Sequence, residues 1–289
     1  MRFSGRTRGL WLVAFAATSW GVGGFVAAIL YRTSGLGPVA VSFWRFAGGV
    51  VLLAALRPVL GGPWRAGLRR VLLTGIGFAV YQTAYYAAIP YAGLALATVV
   101  TLGMGPILIA VGSWLFLRER LGLLGAFLIL VSLVGLILLV RPSGAAASPA
   151  GVALCLLSAA GYAAVTLLSR ASRSQDDPLD AALGGFAVGA VLVLPLALAE
   201  GLLPTSGHWD GTVGLLAFLA VFPTALAYVA FFSGLRAVSA TTASMVALVE
   251  PLAAAALALG FLHERVSWIG YLGGGLLLAS VALLTTVEP

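Results

Sequence analysis

From Val71 to Leu117 the chain runs 47 residues without an Asp, Glu, Lys or Arg. A helix crosses the roughly 30 Å of bilayer hydrocarbon in about 20 residues at 1.5 Å each. Forty-seven uncharged residues therefore make two crossings, and Pro90 with Gly93 supplies a tight turn between them. The pattern holds along the whole chain. Breaks at charges, Pro and Gly predict spans at 9–31, 38–56, 71–90, 93–117, 121–140, 150–169, 180–199, 211–235, 238–262 and 266–287. Only 9% of the 289 residues are charged and 61% are hydrophobic, whereas soluble domains carry about a quarter charged residues. The expected fold class is all-α integral membrane, with ten transmembrane helices.

The first apolar run follows Arg2, Arg6 and Arg8 and contains Ala14-Phe15-Ala16, which imitates a secretory signal and its cleavage site. It continues through Ile29 and Leu30, beyond the length of a signal's apolar region, and is read as a retained first span. A net charge of +7 would suggest a nucleic-acid partner in a soluble protein. Here the sixteen basic residues, all Arg, lie mostly between apolar runs, so no nucleic acid is expected. With a cytoplasmic N-terminus, twelve arginines fall on inner segments and three (Arg32, Arg141 and Arg265) on outer ones. That bias places both termini in the cytoplasm. The single cysteine, Cys155, lies within an apolar run and implies no disulfide framework.

A shift of 145 residues lays Pro106 on Pro251, Glu119 on Glu264, Arg120 on Arg265, Gly125 on Gly270, and Ala92 and Ala95 on Ala237 and Ala240. Leu117-Arg118-Glu119-Arg120 and Leu262-His263-Glu264-Arg265 each end a span that carries its proline thirteen residues before the Glu. The chain thus divides into a first five-helix repeat at 1–141, a linker at 142–149 and a second repeat at 150–289. Five is odd, so the second repeat enters the membrane in the opposite sense. Inverted repeats are an architecture of secondary transporters, with the substrate site near the midplane where the halves meet.

Catalytic and metal patterns find little support. The two histidines, His208 and His263, fall in predicted loops, and no metal site, cofactor or enzymatic activity is expected. The enzymatic alternative is a membrane enzyme acting on lipid through the acids of the 170–180 loop, Asp176, Asp177 and Asp180. Those acids are expected only to solvate the loop. The glycines at 21–24 and 273–275 lack phosphate-loop spacing and are read as sites of close helix packing, as is Gly270-x-x-x-Gly274.

Two charges fall inside spans, at a cost of at least about 2.5 kcal/mol each by insertion scales. Arg45 lies about 10 Å from the predicted outer end of its span at helical rise. It either snorkels outward or faces a cavity. Glu250 lies near mid-span and either lines a transport path, with a carried proton as one role, or is a structural carboxylate bonded near the helix break at Pro251. In the third span Tyr81 and Tyr85, and Gln82 and Tyr86, are a helical turn apart and form one strip. A lipid-facing Gln would be costly, so the strip is expected to face inward. In the eighth, Thr224, Tyr228, Phe231 and Phe232 follow the same spacing after Pro223, which removes a helical hydrogen bond. Spans four and nine add Thr98, Thr101 and Met104, and Thr241, Thr242, Ser244 and Met245. Candidate cavity residues are Trp20, Tyr81, Gln82, Tyr85, Thr101, Met104, Tyr162, Thr224, Tyr228, Phe231, Phe232, Met245 and Glu250, with helix breaks expected at Pro106, Pro223 and Pro251. A cavity of hydroxyls, aromatics, methionine and one amide suits a small, partly apolar, zwitterionic solute better than an inorganic ion.

The paired prolines and Leu-x-Glu-Arg endings, Ser19-Trp20-Gly21, Arg45-Phe46 and Leu248-x-Glu250-Pro251 together resemble the drug/metabolite transporter superfamily. Within it the chain is similar to EamA-type ten-helix members, and among these to YddG-type exporters. The resemblance implies alternating access across the bacterial inner membrane, export of aromatic and other neutral amino acids, a central cavity between the halves, and peripheral fifth and tenth spans. A drug or sugar-derivative carrier of the same superfamily is the alternative. The expected partners are the solute and the bilayer, with a monomer as the simplest working unit. The first half has Gly105 where the second has Glu250, so whatever the carboxylate does is asymmetric.

Overall fold

The computed structural model describes residues 5–60, 64–92, 94–119, 121–140, 148–172, 177–205, 209–261 and 267–287. Every regular element among them is helical, and they form ten rods. These are α1 (Gly5–Ser34), α2 (Pro38–Leu60), α3 (Leu68–Ala92), α4 (Leu94–Gly112, extended by a π turn at Ser113–Leu117) and α5 (Leu123–Val140). The second set is α6 (Pro149–Ala171), α7 (Pro178–Glu200), α8 (Trp209–Gly234), α9 (Ala240–Phe261) and α10 (Trp268–Val287).

Nine of the described helices are long and apolar enough to cross a membrane. The remaining rod, α3, has 25 residues, ample for a crossing. What lowers its apolarity is the strip of Tyr81, Gln82, Tyr85 and Tyr86, and these side chains face the interior of the bundle. Large apolar residues such as Val51, Leu123 and Phe127 are instead more than half exposed on the outside of the bundle, where lipid replaces water.

Local sequence sets the helix starts. Ser148 caps α6 by accepting from Gly151 N at 3.1 Å, Asp177 caps α7 by accepting from Leu179 N at 2.9 Å, and Ser239 caps α9 by accepting from Thr242 N at 3.0 Å. Pro149 and Pro178 occupy the first turns, where a missing N–H costs nothing. At the end of α4, Arg118 adopts the left-handed region with φ 56°, which stops the rod and turns Glu119 back toward the bundle.

The three prolines expected to break helices behave differently. Pro251 interrupts α9, which divides into Ala240–Ala247 and Val249–Phe261 around Leu248. Pro223 sits in a π turn, Val221–Leu226, inside α8. Pro106 breaks nothing, because α4 runs through it from Leu94 to Gly112. In the absence of competing water, the loss of one bond to the carbonyl four residues back is borne by the neighbouring turns.

Three helices of the first set pack on their counterparts five further along. α5 lies against α10, α2 against α7, and α4 against the first segment of α9. Off this diagonal, α3 packs on α6 and α7 as α8 packs on α1 and α2, and α4 packs on α6 as α9 packs on α1. At the α5–α10 contact, glycine permits the approach: a Cβ on Gly135 would lie 2.7 Å from Gly273 O, and one on Gly273 would lie 2.5 Å from Gly135 O. Ser132 and Ser280 close the same interface with a 2.6 Å hydrogen bond.

Acidic residues tie helix ends together. The Asp180 carboxylate, 3% exposed, takes Arg57 Nε at 2.8 Å and Arg65 N at 3.1 Å. Glu119 takes Arg170 Nε at 2.8 Å and Ala240 N at 3.3 Å, and Arg170 also donates to Leu235 O at 2.7 Å. Asp177 and Asp180 thus cap and clamp helices rather than solvate a loop, while Asp176 lies outside the described residues. So do Arg141 and most of the linker, His208, and the second Leu262-His263-Glu264-Arg265 ending.

Candidate substrate cavity

A cavity of about 530 Å³ opens among α1, α2, α3, α4, α6, α8 and α9, and draws on both halves of the chain. It runs from the middle of the bundle toward the end that holds Tyr31 in the last turn of α1, Pro38 at the start of α2 and Ile89 near the end of α3. The opposite end of the bundle holds the Asp180 and Glu119 ion pairs.

Of the residues named from sequence, Trp20, Tyr81, Gln82, Tyr85, Thr101, Tyr162, Tyr228, Glu250 and Pro251 line this cavity. Tyr85 shares a 2.7 Å hydrogen bond with Thr98, and Gln82 Nε2 donates to Ser42 Oγ at 3.1 Å, so the α3 strip is held by α4 and α2. Met104, Thr224, Phe231, Phe232, Met245, Pro106 and Pro223 do not line it. Phe231 and Phe232 belong to the core beneath, 1% and 4% exposed. Trp20 covers Phe231 at a centroid distance of 5.2 Å and Tyr228 at 5.0 Å, so these rings make a floor. Met245 is fully buried in the same core.

Thr224 acts from behind the wall. Pro223 has no N–H to give the carbonyl of Leu219 four residues back, and the chain widens into the π turn. The Thr224 hydroxyl donates to that Leu219 oxygen at 2.8 Å and accepts from Arg45 Nε at 3.1 Å. The helix irregularity thereby fixes a guanidinium at the cavity wall. Arg45 therefore faces the cavity and does not snorkel outward. Replacing Thr224 with Val should leave Leu219 O and Arg45 Nε unpaired and cost about 1–3 kcal/mol of stability, read as a lowered thermal midpoint in detergent.

Glu250 lies just after the break at Leu248, and α1 comes so close there that a Cβ on Gly21 would sit 2.5 Å from Glu250 O. The Glu250 side chain has no hydrogen-bond or ion-pair partner among the described residues, and Thr224 is the one such partner of Arg45. Trp20 Nε1 and Tyr162 Oη are buried without partners among the described residues. The cavity thus holds one guanidinium and one carboxyl group, not joined to each other, amid seven aromatic side chains: Trp20 and Tyr31, Tyr81, Tyr85, Tyr86, Tyr162 and Tyr228. Tyr31 and the small residues Gly21, Gly24, Ala27 and Ala28 escaped the sequence reading, because nothing in a run of small residues separates a cavity wall from tight packing.

A multi-pass helical bundle with a central cavity lined by aromatic and ionisable side chains is the build of a membrane transporter. The profile of the EamA-like transporter family matches the chain twice, over residues 7–141 and 149–286, and the protein belongs to that family. An uncharacterized transporter, YwfM, of Bacillus subtilis (strain 168) is 28% identical over 281 residues, covering 94% of this chain and 92% of the relative. An uncharacterized transporter of Archaeoglobus fulgidus is 27% identical over 96% of this chain and 93% of its own length. The pseudopaline exporter CntI of Pseudomonas aeruginosa (strain UCBPP-PA14) is 28% identical over 65% of this chain and 69% of its own. One solved crystal structure superimposes with a TM-score of 0.84 over 98% of both chains at 18% identity, a likeness of fold.

Proposed function

We propose that this transporter is a secondary carrier that exports small organic solutes, foremost aromatic and other neutral amino acids, by alternating access across a bacterial inner membrane, in the manner of YddG-type exporters. The observation that carries the reading is the cavity. Its volume of about 530 Å³ lies within the usual range for small-molecule sites, and its wall is aromatic with one positive and one negative side chain. Such a wall suits a solute that is apolar at one end and doubly charged at the other.

The mechanism follows from reading the halves as inverted repeats. Support comes from the exchange pattern of the packing, in which each helix and the one five further along have matching neighbours, and from the two family matches. With both termini in the cytoplasm, as the arginine distribution favours, the cavity faces the periplasm and the Asp180 and Glu119 ion pairs close the cytoplasmic end. Rocking of the halves would open that end and close the other around a bound solute. Reconstituted protein should exchange labelled Phe, Trp, Thr and Met across liposomes in counterflow, and absence of flux with all four would defeat this assignment.

A broader metabolite carrier is the second reading, favoured by the likeness to a pseudopaline exporter. Counterflow by a larger metabolite, with none by free amino acids, would establish it.

A further inference from the structure

Elsewhere in this protein, the carboxylates on the closed end are engaged. Asp180 and Glu119 each hold a guanidinium nitrogen at 2.8 Å and a backbone N–H besides. Arg45 and Glu250 break that rule, since they line one cavity and are not joined to each other. A charge placed in hydrocarbon without a counter-charge is costly, and two of opposite sign close to one cavity would ordinarily collapse into a pair. Two features prevent it. Thr224 pins Arg45 from the α8 side at 3.1 Å, and Glu250 sits at the start of the segment after the Leu248 break, its backbone pressed against α1 at Gly21. The Nη nitrogens of Arg45 and the carboxylate of Glu250 therefore stay available to a third party.

We propose that Arg45 and Glu250 form a two-point clamp for a zwitterion, in which the guanidinium takes the solute's carboxylate, Glu250 takes its ammonium, and the aromatic wall receives the side chain. The inference rests on the transport reading of this cavity and adds what selects its cargo. Arg presents a planar fork matched to a carboxylate, and charge-assisted hydrogen bonds are the strong ones. Among the described residues the remaining lining carries no other Asp, Glu, Lys, Arg or His, only phenols, hydroxyls, the indole of Trp20, the amide of Gln82 and apolar groups. A solute with one charge would leave the other protein charge uncompensated. Discrimination therefore falls between zwitterions and their singly charged analogues, more than between one side chain and another.

The test uses the full chain in detergent and three probes that share one ring: L-phenylalanine, 3-phenylpropionate, which lacks the ammonium, and 2-phenylethylamine, which lacks the carboxylate. Calorimetric titration of the unaltered protein should show phenylalanine binding about 10- to 100-fold tighter than either analogue. Arg45→Gln should erase the preference over phenylethylamine and keep that over phenylpropionate, and Glu250→Gln should do the reverse. Equal affinity for all three probes in the unaltered protein overturns the clamp, and that arm decides even where a variant fails to fold. Variants that weaken all three probes by one common factor overturn it too. If phenylalanine counterflow persists without the preference, the clamp falls and the transport reading stands, whereas neither binding nor flux with phenylalanine removes both.

Discussion

Replacing Asp180 with Ala should lower the stability of the folded protein by about 2–4 kcal/mol, somewhat less than the roughly 3–5 kcal/mol for breaking a fully buried ion pair by removing one partner. The loss is large because the carboxylate has two clients. Arg57 loses its counter-charge 2.8 Å away, and Arg65 N loses its acceptor. Arg57 is 26% exposed and stacks over Trp64 at 5.1 Å, so water and the indole recover part of the loss and hold the estimate below the extreme. The double variant Arg57→Leu/Asp180→Leu should regain much of the stability, since two apolar side chains need no counter-charge. Thermal unfolding followed by size-exclusion fluorescence in a mild detergent reads both. A double variant no better than Asp180→Ala would show that the pair contributes more than mutual neutralisation.

Gly21→Val should be more damaging to transport than to folding. Its first added carbon would stand 2.5 Å from Glu250 O, 2.7 Å from Ala253 Cβ and 3.0 Å from Ala254 N. Two of these are backbone atoms, so the second segment of α9 has to move bodily, and it carries Glu250 and Pro251 with it. Overpacking of this kind costs about 1–3 kcal/mol. A displacement of about 1 Å in a site group is enough to cost roughly 100-fold in function. Gly24 offers the control, for it meets nothing within 4 Å, so Gly24→Ala should leave the thermal midpoint unchanged. Counterflow at near-normal rate by the Gly21→Val protein would contradict the placement of Glu250 at the solute.

The ten rods could be read from sequence because bilayer thickness selects for length and apolarity alone, and breaks at Arg57, Arg118 or Arg170 are unambiguous. The α3 strip could be read for a second reason: an amide at Gln82 cannot sit in lipid, so the face it shares with Tyr85 and Tyr86 had to turn inward. On α8 the same spacing misled. Tyr228, Phe231 and Phe232 do share a face, yet only Tyr228 reaches the cavity, because Trp20 and Phe78 from other helices cover the two phenylalanines below. Depth along a face is set by neighbours far off in the chain, and spacing carries no record of them. Arg45 was undecidable for a like reason, since the hydroxyl that holds it lies 179 residues away. Pro106 and Pro251 align in the repeat and still differ in effect, one inside a continuous helix and the other at a break.

The α2–α7 pair is fastened at both ends. Asp180 at the start of α7 holds Arg57 at the end of α2, while Glu200 at the end of α7 accepts from Ala40 N at the start of α2 at 2.6 Å. Antiparallel rods pinned twice have neither a pivot nor a slide between them. In a carrier whose halves rock to release cargo, one fastening therefore has to part, the Arg57–Asp180 one at the closed end, so spin labels at that end of α2 and α7 would move apart while labels near Ala40 and Glu200 keep their separation.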